Sequence, residues 1–329
     1  MWQVTGQDRL LSLLKQNLKE RNIAHAYLLT GPRHIGKGTL AVNIAQAMNC
    51  DASEPPCGQC HSCFRIAQEK HADVIFTHLN SSAEISIDTI RELQHLANLP
   101  PYEGKYKVFI INDAEYLSIE AANCLLKILE EPPPKVIWLL LASEENRLPP
   151  TVISRCQRLE FKPLPMKQLK KILVDQYDIA PNKAKLLARL SHGCLGWAIS
   201  AVKDDNLLSQ RTQNINKFVS LLTANLEQRF ACAQEWAIQF NRQRRSVIEI
   251  IEDWIDWWRD LMLIRGSCEE LITNTDYKAT LQQKASNLTM REINGFIADL
   301  CLLKEQLSKN INVRLLLEWV MLNMPKVEC

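Results

Sequence analysis

In the first half of the chain, apolar residues fall in short continuous runs. In the second half they recur at helical spacing. Ala26-Tyr27-Leu28-Leu29, Val108 to Ile111 and Val136 to Leu141 are short and apolar on both faces, the pattern of strands buried in a parallel sheet, and Asp73-Val74-Ile75-Phe76 reads as a further short strand. Helical patterns precede and separate them. These are Asp8 to Glu20 with a stripe of Leu10, Leu11, Leu13, Leu14 and Leu18, then Leu40 to Met48, Ile87 to Leu99 with Ser86 as N-cap, and Ile119 to Glu131, stopped by Pro132-Pro133-Pro134. Strands alternating with helices through residue 161 predict an α/β fold with a parallel sheet, its ligand at the carboxyl ends of the strands.

Pro163-Leu164-Pro165 marks a boundary, and beyond it the patterns are helical throughout: Met166 to Gln176, Asn182 to Leu190, Leu195 to Lys203 and a long C-terminal set. Within that set, Val247 to Ile264 carries Trp254, Trp257 and Trp258 among Ile248, Ile251, Ile255 and Leu261. Aromatics at this spacing read as core or subunit interface, with base stacking as the alternative. Arg242, Arg244 and Arg245, just before this helix, read as a solvated linker rather than a DNA contact. The expected organisation is α/β over 1–162, a small helical domain over 163–205 and a larger all-α domain over 206–329.

The first apolar run leads into Gly31-Pro32-Arg33-His34-Ile35-Gly36-Lys37-Gly38-Thr39, and a helix follows. Strand, glycine-rich loop and helix in that order form a phosphate cradle: glycines turn backbone N–H groups inward, the lysine adds a point charge, and the helix N-terminus completes the anion site. Gly31, Gly36, Lys37 and Thr39 are the candidate nucleotide-binding residues. Gly38 stands where the pattern asks for a hydroxyl to hold Mg²⁺, and Thr39 falls one residue late. A second defect lies at the end of the third run, in Asn112-Asp113-Ala114-Glu115. The place of a metal-holding aspartate is Asn112, whose amide has no anionic oxygen to offer Mg²⁺. Together these predict nucleotide binding without efficient hydrolysis. Asp113 as a displaced metal ligand and Thr39 as a displaced hydroxyl make slow hydrolysis the alternative.

Cys50, Cys57, Cys60 and Cys63 follow in the spacing C-x6-C-x2-C-x2-C, with Pro55-Pro56 and Gly58 supplying turns. Four thiolates brought to one point suit a closed structural zinc site, with His61 a poor substitute ligand inside the knuckle. An iron–sulfur cluster, whose expected further cysteine after Cys63 is missing, and unconnected free thiols are the alternatives. The 329 residues are 47% hydrophobic and 23% charged with net charge +2, so nothing global marks a nucleic-acid scaffold. No apolar run approaches a membrane span, and Met1-Trp2-Gln3-Val4-Thr5 has no signal-peptide pattern, so a cytoplasmic protein with its eleven cysteines reduced is expected.

Several stretches taken together resemble the delta prime family of bacterial DNA polymerase III clamp-loader subunits. They are Gly6-Gln7, His25-Ala26-Tyr27-Leu28, the four cysteines, Leu125-Leu126-Lys127-Ile128-Leu129-Glu130-Glu131-Pro132-Pro133 and Ser154-Arg155-Cys156. The resemblance covers residues 1 to 205 and extends more weakly to the C-terminal helices through Trp258-Arg259-Asp260-Leu261. It implies an AAA+ module of α/β domain and helical lid, then a helical collar through which five subunits form an open ring. Implied partners are gamma/tau-type ATPase subunits, a delta-type opener, the sliding clamp and primer-template DNA. It also implies that Arg155 reaches across a subunit boundary to ATP held by a neighbour, a finger acting in trans. Gly196, in Gly193-Cys194-Leu195-Gly196, stands where the motor subunits resemble one another in carrying a sensor arginine. With Gly38 and Asn112 it points to a non-hydrolysing member and leaves open whether ATP or ADP binds. The competing readings are an ATP-hydrolysing motor of the same ring and a free-standing zinc-containing DNA-binding protein.

Overall fold

A computed structural model describes residues 2–20, 22–79, 84–307 and 311–326. Met1 and residues 327–329, named in the expected domain bounds, lie outside the described residues. The chain packs as two compact units, Met1–Pro165 with Gly193–Trp197, and Met166–His192 with Ala198–Cys329.

The first unit begins with α1 (Asp8–Lys19). It continues through β1 (Ala26–Thr30), α2 (Lys37–Asn49), α3 (His61–Ala67), β2 (Val74–Thr77), α4 (Ile87–Ala97), β3 (Lys107–Ile111), α5 (Ile119–Glu130), β4 (Val136–Ala142), α6 (Pro150–Ile153) and β5 (Gln157–Glu160). All strands are parallel in the order β2-β3-β4-β1-β5, with Leu28 opposite Leu140 and Arg158. Alternation along the strands fills both faces, as a parallel sheet requires. Tyr27, Leu29, Val108, Ile110, Ile137 and Leu139 pack with Leu11 and Leu14 of α1 and Leu40 and Ile44 of α2. Ala26, Leu28, Phe109, Ile111, Trp138 and Leu140 pack with α4 and α5, and the Phe109 and Trp138 rings stack at 4.3 Å. Ser86 caps α4 as expected, its hydroxyl accepting from Thr89 N at 3.3 Å.

One local expectation fails in this unit, and one element was not anticipated. α2 starts at Lys37 rather than Leu40, because Gly36 takes a left-handed φ of 109° that turns the loop directly into the helix. The knuckle also holds α3, which the turn-forming residues around the cysteines conceal; the Cys60 sulfur caps it by accepting from Cys63 N.

Among the described residues the second unit is all helical: α7 (Met166–Tyr177), α8 (Pro181–Leu190), most of α9 (Leu195–Lys203), α10 (Asp205–Thr223), α11 (Leu226–Arg242), α12 (Arg244–Arg265), α13 (Lys278–Ser286), α14 (Met290–Gln306) and α15 (Val313–Asn323). Trp254, Trp257 and Trp258 are wholly buried around Phe218 and Phe296, so they are core and present no face for base stacking. The solvated-linker reading of the arginine cluster is corrected here. Gln243 alone separates α11 from α12, and Arg244 is half-buried, donating to the Leu307 carbonyl with its guanidinium 5.1 Å from the Phe240 ring. Arg245 pairs with Glu249 at 3.3 Å, one helical turn on, while Arg242 is exposed in the last turn of α11.

Candidate functional site

The phosphate loop joins β1 to α2 at the carboxyl edge of the sheet. Gly31 has φ 142°, and a Cβ there would meet the Phe161 Cβ and carbonyl oxygen at 2.9 Å, so the loop passes β5 where only glycine fits. Lys37 is buried, and its ammonium donates to the Gly31 carbonyl at 2.6 Å, the Pro32 carbonyl at 2.9 Å and Ser143 Oγ at 3.1 Å. An ammonium has three donors, so all are engaged by protein oxygens. Burial lowers its pKa to about 8, against the opposing pull of the Glu115 carboxyl. Gly38 faces open space, with nothing within 4 Å of a Cβ built on it, and Thr39 is exposed on the first turn of α2.

The acidic segment lies beside this loop. Asn112 directly follows β3 and its amide contacts His78 Nδ1 at 3.2 Å. Asp113 has a left-handed φ of 51° and its carboxylate lies 3.9 Å from Arg33 Nη2, whose next acceptor is the Tyr116 hydroxyl at 3.5 Å. Glu115 is buried; one carboxyl oxygen accepts from Ser143 N at 3.1 Å and the other has no partner. Burial pushes its pKa up, opposed by that N–H. Ser143, just past β4, therefore touches both the loop lysine and the segment's glutamate. The sequence reading missed it, since a serine after an apolar run carries no local signal.

Gly196 is the second residue of α9, and a Cβ on it would lie 2.4 Å from the His34 carbonyl oxygen. The helix start thus rests on the phosphate loop backbone to backbone. Gly6 and Gln7 reach the same boundary: a Cβ on Gly6 would strike Leu164, and the Gln7 amide donates to the Lys162 carbonyl at 2.8 Å.

At the far end of α2, the sulfurs of Cys50, Cys57, Cys60 and Cys63 lie within 4.8 Å of one another, with Cys57 and Cys63 3.9 Å apart and Cys60 and Cys50 4.0 Å apart. Four sulfurs about 2.3 Å from a tetrahedral ion would be about 3.8 Å apart, so the donor set can hold a metal ion. N–H groups of Gln59 and Cys60 point at the Cys57 sulfur and hold its pKa down to about 6, while burial pushes Cys63 up to about 12. His61, exposed at the start of α3, is outside the sulfur cluster. Gln46 of α2 donates to the Cys63 carbonyl at 2.8 Å and so ties the cluster to the helix.

Arg155 follows α6 and is partly exposed. Its guanidinium pairs with Glu130 at 2.6 Å and donates to the Thr151 carbonyl at 3.0 Å.

Residues 6–165 match the family described as DNA polymerase III, delta subunit, and residues 205–326 match DNA polymerase III, delta subunit, C terminal. The delta' subunit of DNA polymerase III from Bacillus subtilis is 29% identical over 319 residues, 96% of this chain and 95% of that protein. The chain belongs to the DNA polymerase III delta prime subunit family. Family membership bears out the resemblance, and a parallel-sheet unit with a helical remainder is the α/β plus all-α architecture expected. The chain is also 28% identical over 312 residues to the Bacillus subtilis tau subunit, covering 88% of this chain but 54% of that longer protein. The gamma subunit-related protein of Thermotoga maritima superposes with TM-score 0.45 at 18% identity, over 91% of this chain and all of that one.

Proposed function

We propose that this chain is a non-hydrolysing subunit of the bacterial clamp loader, which sits in a five-membered ring beside gamma/tau-type ATPases and a delta-type opener. In that ring it helps load the sliding clamp on primer-template DNA in the cytoplasm. Residues 163–205 would act as a helical lid and 206–329 as the collar that joins the ring. The carrying observation is an asymmetry within one unit. The chain's own phosphate loop has its lysine satisfied by loop and Ser143 oxygens, with glycine at position 38 and an amide at 112, while Arg155 stands accessible at the end of α6. Such a subunit contributes chemistry to a neighbour rather than to itself. Arg155 would place its planar cation on a phosphate bound next door, a role worth about 10³ to 10⁵ in rate where it has been measured. The four-cysteine cluster would hold zinc, which with four thiolates has no open position for water and is structural.

The test is ATP turnover on primed DNA with clamp by the chain alone, by its complex with motor and opener subunits, and by that complex carrying Arg155→Ala. A silent chain and a complex slowed by the substitution, still intact by size-exclusion chromatography, support the reading. Turnover by the chain alone, indifferent to Arg155, makes it a motor in its own right.

A further inference from the structure

Arg155 is held by a specific partner. Its Nη2 lies 2.6 Å from Glu130 Oε1, and its Nη1 donates to the Thr151 carbonyl at 3.0 Å and to Ser154 Oγ at 3.4 Å. Glu130 is the last residue of α5, which packs on α6. The helix end that carries it is anchored. His25 Nε2 donates to the carbonyl of the preceding Leu129 at 3.1 Å, which pins the final turn of α5 to the residue leading into β1. The opposite end of α5 is capped by Ser118, whose hydroxyl accepts from Ala121 N at 3.1 Å just beyond the turn that carries Glu115.

The pair is too exposed to serve stability, with side chains 35% and 52% accessible, since exposed ion pairs contribute little. Orientation is what it supplies. A free arginine samples many rotamers, and ordering it at the moment of reaction costs rate. A guanidinium has five N–H donors, and Glu130, Thr151 and Ser154 occupy three at most, so donors remain for a phosphate. The Glu130 charge itself opposes an anionic ligand, so any benefit of the pair is geometric.

We propose that Glu130 is the positioning residue for Arg155, holding its guanidinium in the orientation from which the free donors meet a phosphate bound by the neighbouring subunit. The proposal rests on the reading of Arg155 as a finger in trans. Glu130→Gln keeps an accepting oxygen and removes the charge; Glu130→Ala removes both.

The experiment is single-turnover ATP hydrolysis in the assembled complex carrying wild type, Arg155→Ala, Glu130→Ala, Glu130→Gln or the Arg155→Ala/Glu130→Ala pair, with assembly checked by size exclusion. Glu130→Ala is expected to slow the site adjoining this chain about tenfold, within the range that small misplacements cost, with nucleotide affinity unchanged. Glu130→Gln should restore the rate to within about twofold, and Glu130→Ala should cost nothing further once Arg155 is gone. A fast Glu130→Ala complex beside a slow Arg155→Ala complex overturns the positioning role while leaving the finger intact. An additive loss in the double variant overturns it too, because Glu130 would then act independently of Arg155. An Arg155→Ala complex as fast as wild type removes the finger and Glu130's role with it.

Discussion

Gly196 meets His34 across a gap that holds no side chain: a Cβ on the glycine would lie 2.4 Å from the His34 carbonyl oxygen. His34 itself has a left-handed φ of 58°, so the loop bends toward the helix start at that contact. An arginine in this position would have to push the phosphate loop aside before it could reach a nucleotide.

Gly196→Arg is therefore expected to lower stability by about 1 to 3 kcal/mol, the cost of overpacking, and to confer no ATPase activity. Gly38→Thr, by contrast, enters open space and should leave the melting temperature unchanged or slightly raised. Thermal unfolding and turnover assays of the two variants separate these outcomes.

The buried Lys37 makes stability pH-dependent in an unusual direction. Its folded pKa is lowered from 10.5 to about 8, so between these values the unfolded chain holds a proton that the folded chain has released. Stability from this group accordingly rises as pH climbs from 8 to 10.5, by up to about 3 kcal/mol. Denaturant unfolding of wild type and Lys37→Met at pH 7.5, 9 and 10.5 should show that extra slope in the wild type and its loss in the variant.

The four-sulfur cluster is expected to bind one metal ion per chain. Cobalt substitution should give the charge-transfer absorption of thiolate ligands, and a strong chelator should lower the melting temperature. Cys60→Ser should weaken metal binding by at least an order of magnitude, measured by chelator competition. A metal content of zero in protein purified under reducing conditions without chelator would refute the site.

Asp73 is buried, and its carboxylate accepts from the N–H groups of Tyr102, Glu103 and Gly104 at 2.7 to 2.8 Å. Burial favours the neutral acid, but the three N–H groups outweigh it and lower the pKa. Asp73→Ala strands these donors and should cost about 3 kcal/mol, read by urea unfolding at pH 7. Because the folded pKa is depressed, the contribution is full above pH 4 and fades as pH falls further, so the gap between wild type and variant narrows in acid.

The central strands were legible because a strand buried on both faces must be apolar throughout, as Val108 to Ile111 and Val136 to Leu141 are. β5 was not singled out. At the sheet edge Gln157, Arg158 and Glu160 remain at least partly exposed, and its identity comes from pairing with β1. The glycines and lysine of the phosphate loop announce themselves by local backbone demands. Ser143 does not, because its importance arises from two partners distant in sequence, Lys37 and Glu115. The Glu130 contact was equally invisible: both residues lay in stretches already singled out, yet nothing in either stretch says that they touch.

α2 carries the loop lysine at its first residue and reaches the first cysteine directly after its last, a span of 13 residues and about 20 Å. Asn43 and Gln46 on its buried side bond to Gln3 N and the Cys63 carbonyl, so the helix is fastened along its length. A helix does not shorten or shear under modest load, so anything that tugs on the thiolate end is felt at the phosphate end. The four-cysteine module would in this sense act as a handle on the phosphate loop, and a partner grasping it would adjust the loop from outside the sheet.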